Sequence, residues 1–286
     1  MKNDGGVEKR TYVIHPVSGW FDLRLGDLWR YRDLVMLFVR RDFVALYKQT
    51  ILGPLWFVIQ PIMTTIVFSI IFGRVARIPT DGLPPTLFYL AGLTPWNYFS
   101  GCLTKTSNTF ISNANIFGKV YFPRLAVPIS VAISGLIGFF IQLGVFICFM
   151  VCYAIKGAAF SVSPFLIFFL PLIMLQIAGL GLGFGIIVSS LTTRYRDLSF
   201  LISFGVQLWM YATPIVYPVS RIPQSWRWLG YLNPMTPAIE LFRYAFLGSG
   251  SINPWQVVMG LAMTFLILLV GIILFSRIEK SFMDTV

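Results

Sequence analysis

Six apolar stretches dominate this chain, near residues 52–73, 87–110, 125–155, 164–191, 199–217 and 257–275. A helix needs about 20 residues to cross a ~30 Å hydrocarbon layer, so an all-α membrane protein with six transmembrane helices is expected. The composition agrees, with 57% hydrophobic and 12% charged residues and a mean hydropathy of +0.77. A soluble domain carries about 25% charged residues. The second stretch, "LTPWNYFSGCLTKTSNTF", is too polar for a lipid-facing helix and is expected to pack inside the protein. The third is long enough to tilt or to project beyond the bilayer.

An even number of spans places both termini on one side, and the basic residues indicate which. Sixteen of the 22 Lys and Arg residues fall on the side that holds the termini, against six on the other. The positive-inside rule therefore predicts cytoplasmic termini. The net charge of +11 does not point to nucleic acid, because the basic residues lie between apolar runs rather than on one solvated face. Residues 1–20 contain no apolar signal-peptide core, so insertion without cleavage is expected.

All eleven Asp and Glu residues are expected outside the spans. Ion-driven carriers usually keep ionisable groups in the membrane, and membrane hydrolases need an acid, base or metal site. Both classes are disfavoured. Lys105, near a span end, can snorkel to the interface. His15 has no ligand cluster around it, and Cys102, Cys148 and Cys152 match no metal spacing; these cysteines read as small core residues. No metal site is expected. There is also no G-x-x-x-x-G-K-[ST] phosphate cradle, so the energy source lies elsewhere. "GLGLGFG" (179–185) lacks the dinucleotide spacing and reads as helix packing, with Gly179/Gly183 and Gly181/Gly185 as small-xxx-small pairs.

Before the first span, residues 25–48 have helical amphipathicity. Leu25, Trp29, Met36, Val39, Phe43, Leu46 and Tyr47 share one face, with Asp27, Arg30, Arg41 and Lys48 opposite and Leu34 and Leu37 intruding on the polar side. This predicts a helix along the membrane surface, basic face to the cytoplasm. Basic residues acting only as a topology signal would explain the charge without the ordered apolar face. Gly53 and Pro54 then turn the chain into the bilayer, with Trp56 as an anchor just inside. Three parts are expected: a cytoplasmic segment 1–24, an amphipathic interfacial helix 25–50 and a six-span region 51–286.

Between the last two spans, Trp226, Trp228, Tyr231, Met235, Ile239, Phe242 and Phe246 need burial. Two short helices broken at Asn233-Pro234 would supply it. Glu240 and Arg243 at i, i+3 could pair, and Gly248 could cap the second helix. On the fifth span Phe200, Phe204, Gln207 and Tyr211 recur at i, i+4, i+7 and i+11, a stripe that as a bare pattern fits packing or lipid anchoring as well as a pore lining.

"YKQTILGPLWFVIQP" (47–61) resembles the entry signature of the ABC-2 type polysaccharide-export permeases, the membrane subunits of transporters for O-antigen, capsule and teichoic acid. "GLTPWNYFSGCLTKTSNTFISNANIFGKVYFPRLAVP" (92–128), "TPIVYPVSRIPQSWRWLGYLNPMTPAIELFRYAFLG" (213–248) and the last span with its short charged tail match the same family in order. The likeness runs from about residue 20 to the end. It implies a bacterial cytoplasmic (inner) membrane homodimer with two copies of a separate ATPase, which binds the ATP and Mg. It also implies a lipid-linked polysaccharide as substrate, although a permease for a drug or small amphipath could share the architecture.

The resemblance assigns candidate roles. Asn113, Asn115, Phe117, Lys119, Tyr121 and Phe122, with Arg30 and Arg41 on the interfacial helix, would contact the ATPase. Asn233, Pro234, Glu240 and Arg243 would belong to short re-entrant helices gating the outer mouth. Phe200, Phe204, Gln207, Tyr211 and Trp56 would line a glycan channel, since sugar CH faces pack on aromatic rings and a sliding polymer needs weak, repeated contacts.

Overall fold

The computed structural model describes residues 25–48, 51–117, 119, 122–192, 197–250 and 253–283. Every regular element among them is helical. In chain order these are α1 (Leu25–Arg30), α2 (Arg32–Lys48), α3 (Trp56–Phe68), α4 (Pro85–Ser107), α5 (Thr109–Phe117) and α6 (Ala126–Ile155). They continue with α7 (Pro164–Phe168), α8 (Leu170–Thr192), α9 (Leu198–Ala212), α10 (Arg227–Leu232), α11 (Met235–Leu247) and α12 (Pro254–Met283). The expected segment 1–24 with His15, as well as Arg194 and Arg196, lies outside the described residues.

Among the described residues, four helices are long and apolar enough to cross a membrane: Gly53–Val75, Ala126–Ile155, Leu170–Thr192 and Pro254–Arg277. The other two expected spans differ from these. α4 has 23 residues, about 35 Å at 1.5 Å per residue, but its polar positions keep it out of that set. α9 is apolar yet only 15 residues long, roughly 22 Å. It stops at Ala212 rather than near 217 because Thr213 is extended and Pro214 follows.

Gly53 makes the corner between α2 and the first membrane helix with a φ of 46°, a left-handed value that favours glycine. Pro54 sits in the short 3-10 turn Gly53–Leu55 that leads into α3. The helix then widens into a π-type turn over Ser69–Val75, where the Ala76 N–H donates to the Ile71 carbonyl at 2.8 Å.

α4 is the centre of the bundle, as its polarity suggested. From Leu87 to Ser107 every residue is buried except Asn97, Ser100, Gly101, Thr104 and Lys105. Its strongest neighbour is α8, which packs on α12 with its other side. Both contacts depend on the glycine run. A Cβ on Gly181 would lie 2.7 Å from Cys102 Cβ, and one on Gly185 2.6 Å from Thr106 Cβ, so this pair admits α4. Gly179 and Gly183 admit α12, where an added Cβ would meet Thr264 Cγ2 at 3.0 Å and Ile267 Cγ2 at 2.9 Å. Cys102 is buried in this seam, but Cys148 and Cys152 face outward from α6, against the expectation that all three are core residues.

α2 is also oriented differently from its sequence reading. Val35 and Phe38 are buried and Leu28, Tyr31 and Leu34 pack beside them, whereas Trp29 (74% exposed), Met36 and Leu37 point away. The helix is rotated by roughly a third of a turn from the expected face. Its apolar residues have two possible partners, protein and lipid, and Leu34, an apparent intruder, belongs to the protein side. The side chains of Leu25, Asp27, Leu46 and Tyr47 lie outside the described set.

The glycine seam yields a first prediction. Gly185→Val drives a branched side chain into Thr106 and the Leu103 carbonyl, and overpacking of this kind costs about 1–3 kcal/mol. Thermal unfolding of purified protein should show a lowered Tm for Gly185→Val. Gly144→Ala, where a Cβ meets nothing within 4 Å, should leave it unchanged.

Candidate functional site

Three groups of candidate residues fall in separate regions. At the α2/α5 end, a cluster joins five helices. Val35 and Phe38 of α2, Phe110 and Phe117 of α5, Phe122, Ala126 and Val127 at the start of α6, Ile186 of α8 and Phe275 of α12 are all buried together. Phe122 packs between Phe38 and Phe117 at centroid distances of 5.6 and 5.7 Å. Phe117 also carries the Arg124 guanidinium 5.3 Å from its ring centre.

This cluster divides the expected coupling residues. Phe117 and Phe122 are anchors, as their side chains suggested. Asn113 is buried and donates from Nδ2 to the Thr109 carbonyl of its own helix at 2.9 Å, so it offers no contact surface. Asn115, Lys119 and Arg30 are exposed. Arg41 is exposed too, but its guanidinium is held by Asp42 at 2.8 Å and lies over Phe38 at 4.9 Å. Tyr121 lies outside the described residues.

The second group is on α9. Phe200 (82% exposed), Phe204, Gln207 and Tyr211 occupy one accessible face, while Trp209 turns inward against Trp96, Phe99 and Phe184 at 5.0–6.3 Å. Trp56 is accessible on α3, which packs on α4 and α6 rather than extensively on α9. Sequence reasoning missed a set on α4. Asn97, Ser100 and Thr104 of α4 and Asn108 at its C-terminal cap recur at i, i+3, i+7 and i+11, and with Gly101 and Lys105 they are the half-buried or exposed positions of an otherwise buried helix. Asn97 Nδ2 donates to Gln142 Oε1 of α6 at 3.0 Å, and Asn108 Nδ2 to the Thr104 carbonyl at 3.1 Å. The signal was in the spacing of the polar residues.

At the opposite end from α2 and α5, α10 and α11 are separated at Asn233-Pro234 as expected, and Gly248 caps α11 with a φ of 67°. Asn233 Oδ1 accepts from Trp209 Nε1 at 3.2 Å and from the Met235 N–H at 3.1 Å, while its Nδ2 donates to Thr213 Oγ1 at 2.8 Å. One side chain therefore ends α10, starts α11 and ties both to α9. Pro234, Met235, Ile239, Phe242 and Phe246 are buried. Trp226 (61% exposed), Trp228 and Tyr231 are not, contrary to expectation, because α10 rides on the surface.

Glu240 and Arg243 do pair, at 2.9 Å, and Arg243 is only 1% exposed. Its Nη2 also donates to the Pro214 carbonyl at 3.0 Å, and its guanidinium sits 3.8 Å from the Phe88 ring centre. A Cβ on Gly92 would come within 3.1 Å of Nη2, so α4 carries a glycine where the guanidinium lies against it. Arg243 thus binds α11, α4 and the end of α9 together. Among the described residues no group of three His, Cys, Asp or Glu could hold a metal ion.

Four long apolar helices packed around the buried, partly polar α4 define a multi-pass membrane protein. The chain belongs to the ABC-2 type transporter family, whose pattern matches residues 33–247. It is similar to the O-antigen export system permease protein RfbA of Klebsiella pneumoniae, 31% identical over 253 residues that cover 88% of this chain and 94% of that protein. RfbA of Myxococcus xanthus is 28% identical over 223 residues, 77% of this chain and 82% of the relative. The polysialic acid transport protein KpsM of Escherichia coli is 26% identical over 237 residues, 82% and 89% respectively.

The buried ion pair gives a second prediction. Arg243→Met leaves Glu240 in a dry site without its guanidinium, a loss of about 3–5 kcal/mol. Arg243→Lys should not restore it, since an ammonium has no planar fork to reach Glu240 and Pro214 together. Denaturation in detergent should show both variants destabilised, and the Met variant partly rescued by adding Glu240→Met.

Proposed function

We propose that this chain is the membrane-spanning subunit of an ATP-driven exporter of lipid-linked polysaccharide in the bacterial inner membrane. The observation that carries this reading is the similarity, over nearly the full length of both chains, to permeases named for O-antigen export. The similarity to a polysialic acid transport protein also fits a polysaccharide substrate. In this reading α4 and α9 complete six spans with both termini cytoplasmic, and α10 and α11 form the re-entrant outer gate. Two copies assemble with two copies of a cytoplasmic ATPase, which holds the ATP and Mg.

The division of labour follows from chemistry. Polysaccharide hydroxyls need hydrogen-bonding partners through the membrane, and the Asn97–Asn108 stripe of α4 supplies them. The aromatic face of α9 supplies flat surfaces for sugar CH faces without binding any ring tightly. Deletion of the gene should abolish surface polysaccharide and leave lipid-linked polymer inside the cell. Normal surface polymer in the deletion strain would overturn the assignment.

Coupling to the ATPase is expected at the exposed residues of the α5 region. Asn115→Ala with Lys119→Ala should uncouple transport from ATP hydrolysis at unchanged protein level, whereas Phe122→Ala, which opens the cluster at a stability cost of about 3–5 kcal/mol, should lower the protein level. Cysteines at 115 and 119 should crosslink to the ATPase. Labelling of those cysteines from the outer side would refute both the contact and the topology.

For the conduit, Phe204→Leu with Tyr211→Leu keeps apolar bulk but removes two rings from the exposed face of α9. Surface polymer should fall several-fold while the membrane level of the protein is unchanged. A lipid-anchoring role predicts undiminished export.

A further inference from the structure

A pocket of about 570 Å³ opens between the C-terminal end of α9, the segment 217–223 and α10. Its wall includes Trp209, Tyr217, Arg221, Trp226 and Asn233. It shares α10 and Asn233 with the outer gate proposed above, but no role in that reading has been given to the cavity itself. The volume lies in the range of small-molecule sites, roughly 300–1,000 Å³.

The wall chemistry is mixed in a particular way. Two indoles and a phenol present flat faces, and a guanidinium and a carboxamide present hydrogen-bonding groups. Trp209 and Asn233 are fixed before any ligand arrives: the indole N–H donates to Asn233 Oδ1, and the carboxamide is held by Thr213 and the Met235 N–H. Trp226 lines the pocket yet is 61% exposed, which leaves much of its ring surface available. An acyl chain would gain from the apolar wall but would lay hydrocarbon on the Arg221 guanidinium, whose desolvation without a partner costs free energy. A saccharide satisfies both halves, with CH faces on the rings and hydroxyls on the guanidinium.

We propose that this pocket is a saccharide subsite at the outer mouth, which takes sugar rings of the emerging polymer. The proposal rests on the export reading. Trp209 links the pocket to the bundle, since its indole also packs on Trp96, Phe99 and Phe184 of α4 and α8. Occupancy of the pocket is thereby felt at the packing of α9, and a ring held there opposes backward sliding of the chain.

The test uses the full permease–ATPase complex in lipid nanodiscs, with 5-fluorotryptophan incorporated and the Trp209 and Trp226 resonances assigned by Trp→Phe variants. The probe is the set of short oligosaccharides released by mild acid from the source strain's surface polysaccharide. Saturable shifts of both resonances are expected, with Trp29 and Trp255, which do not line the pocket, unmoved. Trp226→Leu should weaken binding about tenfold, the scale of one ring contact, and Trp226→Tyr should restore most of it. If the two resonances respond to a change of lipid acyl chain and not to saccharide, the pocket is a lipid site and the proposal fails. No saccharide response in a complex that still exports polymer from cells overturns the subsite and leaves the export reading standing. Saccharide binding by a chain whose deletion leaves surface polymer intact supports the pocket and overturns the export reading instead.

Discussion

The close approach of α8 to two neighbours at once is the constraint on which the bundle rests. In lipid, helices gain nothing from hiding apolar surface from water, so association depends on van der Waals fit and hydrogen bonds. Gly181 and Gly185 let α4 come near enough for Cys102 and Thr106 to touch the α8 backbone, and Gly179 and Gly183 do the same for α12. With α4 fixed by that seam, its polar stripe and its contacts to α6 and α11 are fixed too. The glycine pairs are consumed within the chain, so they do not mediate association with a second copy.

At the far end, the bundle is closed by a different interaction. Arg243 is surrounded by a carboxylate, a backbone carbonyl and an aromatic face. Each partner stabilises the buried cation, and a guanidinium over a ring in a dry site contributes on the order of 2 kcal/mol. The arrangement is specific because a planar fork reaches three elements from one position. Asn233 repeats the idea with neutral groups, bonding α9, Thr213 and the first turn of α11. Both residues act on the joint between the end of α9 and the short helices.

Much of this was legible in the sequence. The break at Asn233-Pro234, the Gly248 cap, the Glu240–Arg243 pair and the packing faces of the glycine run all follow local rules in which a few neighbouring residues decide the outcome. What escaped depends on partners distant in sequence. The inward face of α2 is set by Phe117 and Phe122, which approach from α5 and the start of α6. Leu34, read as an intruder on a polar face, is apolar because a protein surface lies there. Asn113 was assigned to the ATPase contact by resemblance, and its polarity suited that role, yet it is buried and spends its amide on its own helix. Trp226 looked like a core residue by size, yet it stands at a pocket rim.

The polar stripe of α4 leads to a conclusion about assembly. Asn97, Ser100, Thr104 and Asn108 remain accessible in a helix at the middle of the bundle, and polar side chains gain nothing from acyl chains. Asn97 and Asn108 each use one amide N–H within the chain, and the hydroxyl, carbonyl and amide groups left over fit water, a polar substrate or another protein surface better than acyl chains. Within one chain the stripe is flanked but not enclosed, and the aromatic face of α9 is equally uncovered. In the export reading proposed above, a two-fold axis would set the α4 stripe and the α9 aromatic face of one copy against those of the other, and the groups that one chain leaves open would then line a shared path of hydroxyl and amide groups on one pair of walls and flat rings on the other.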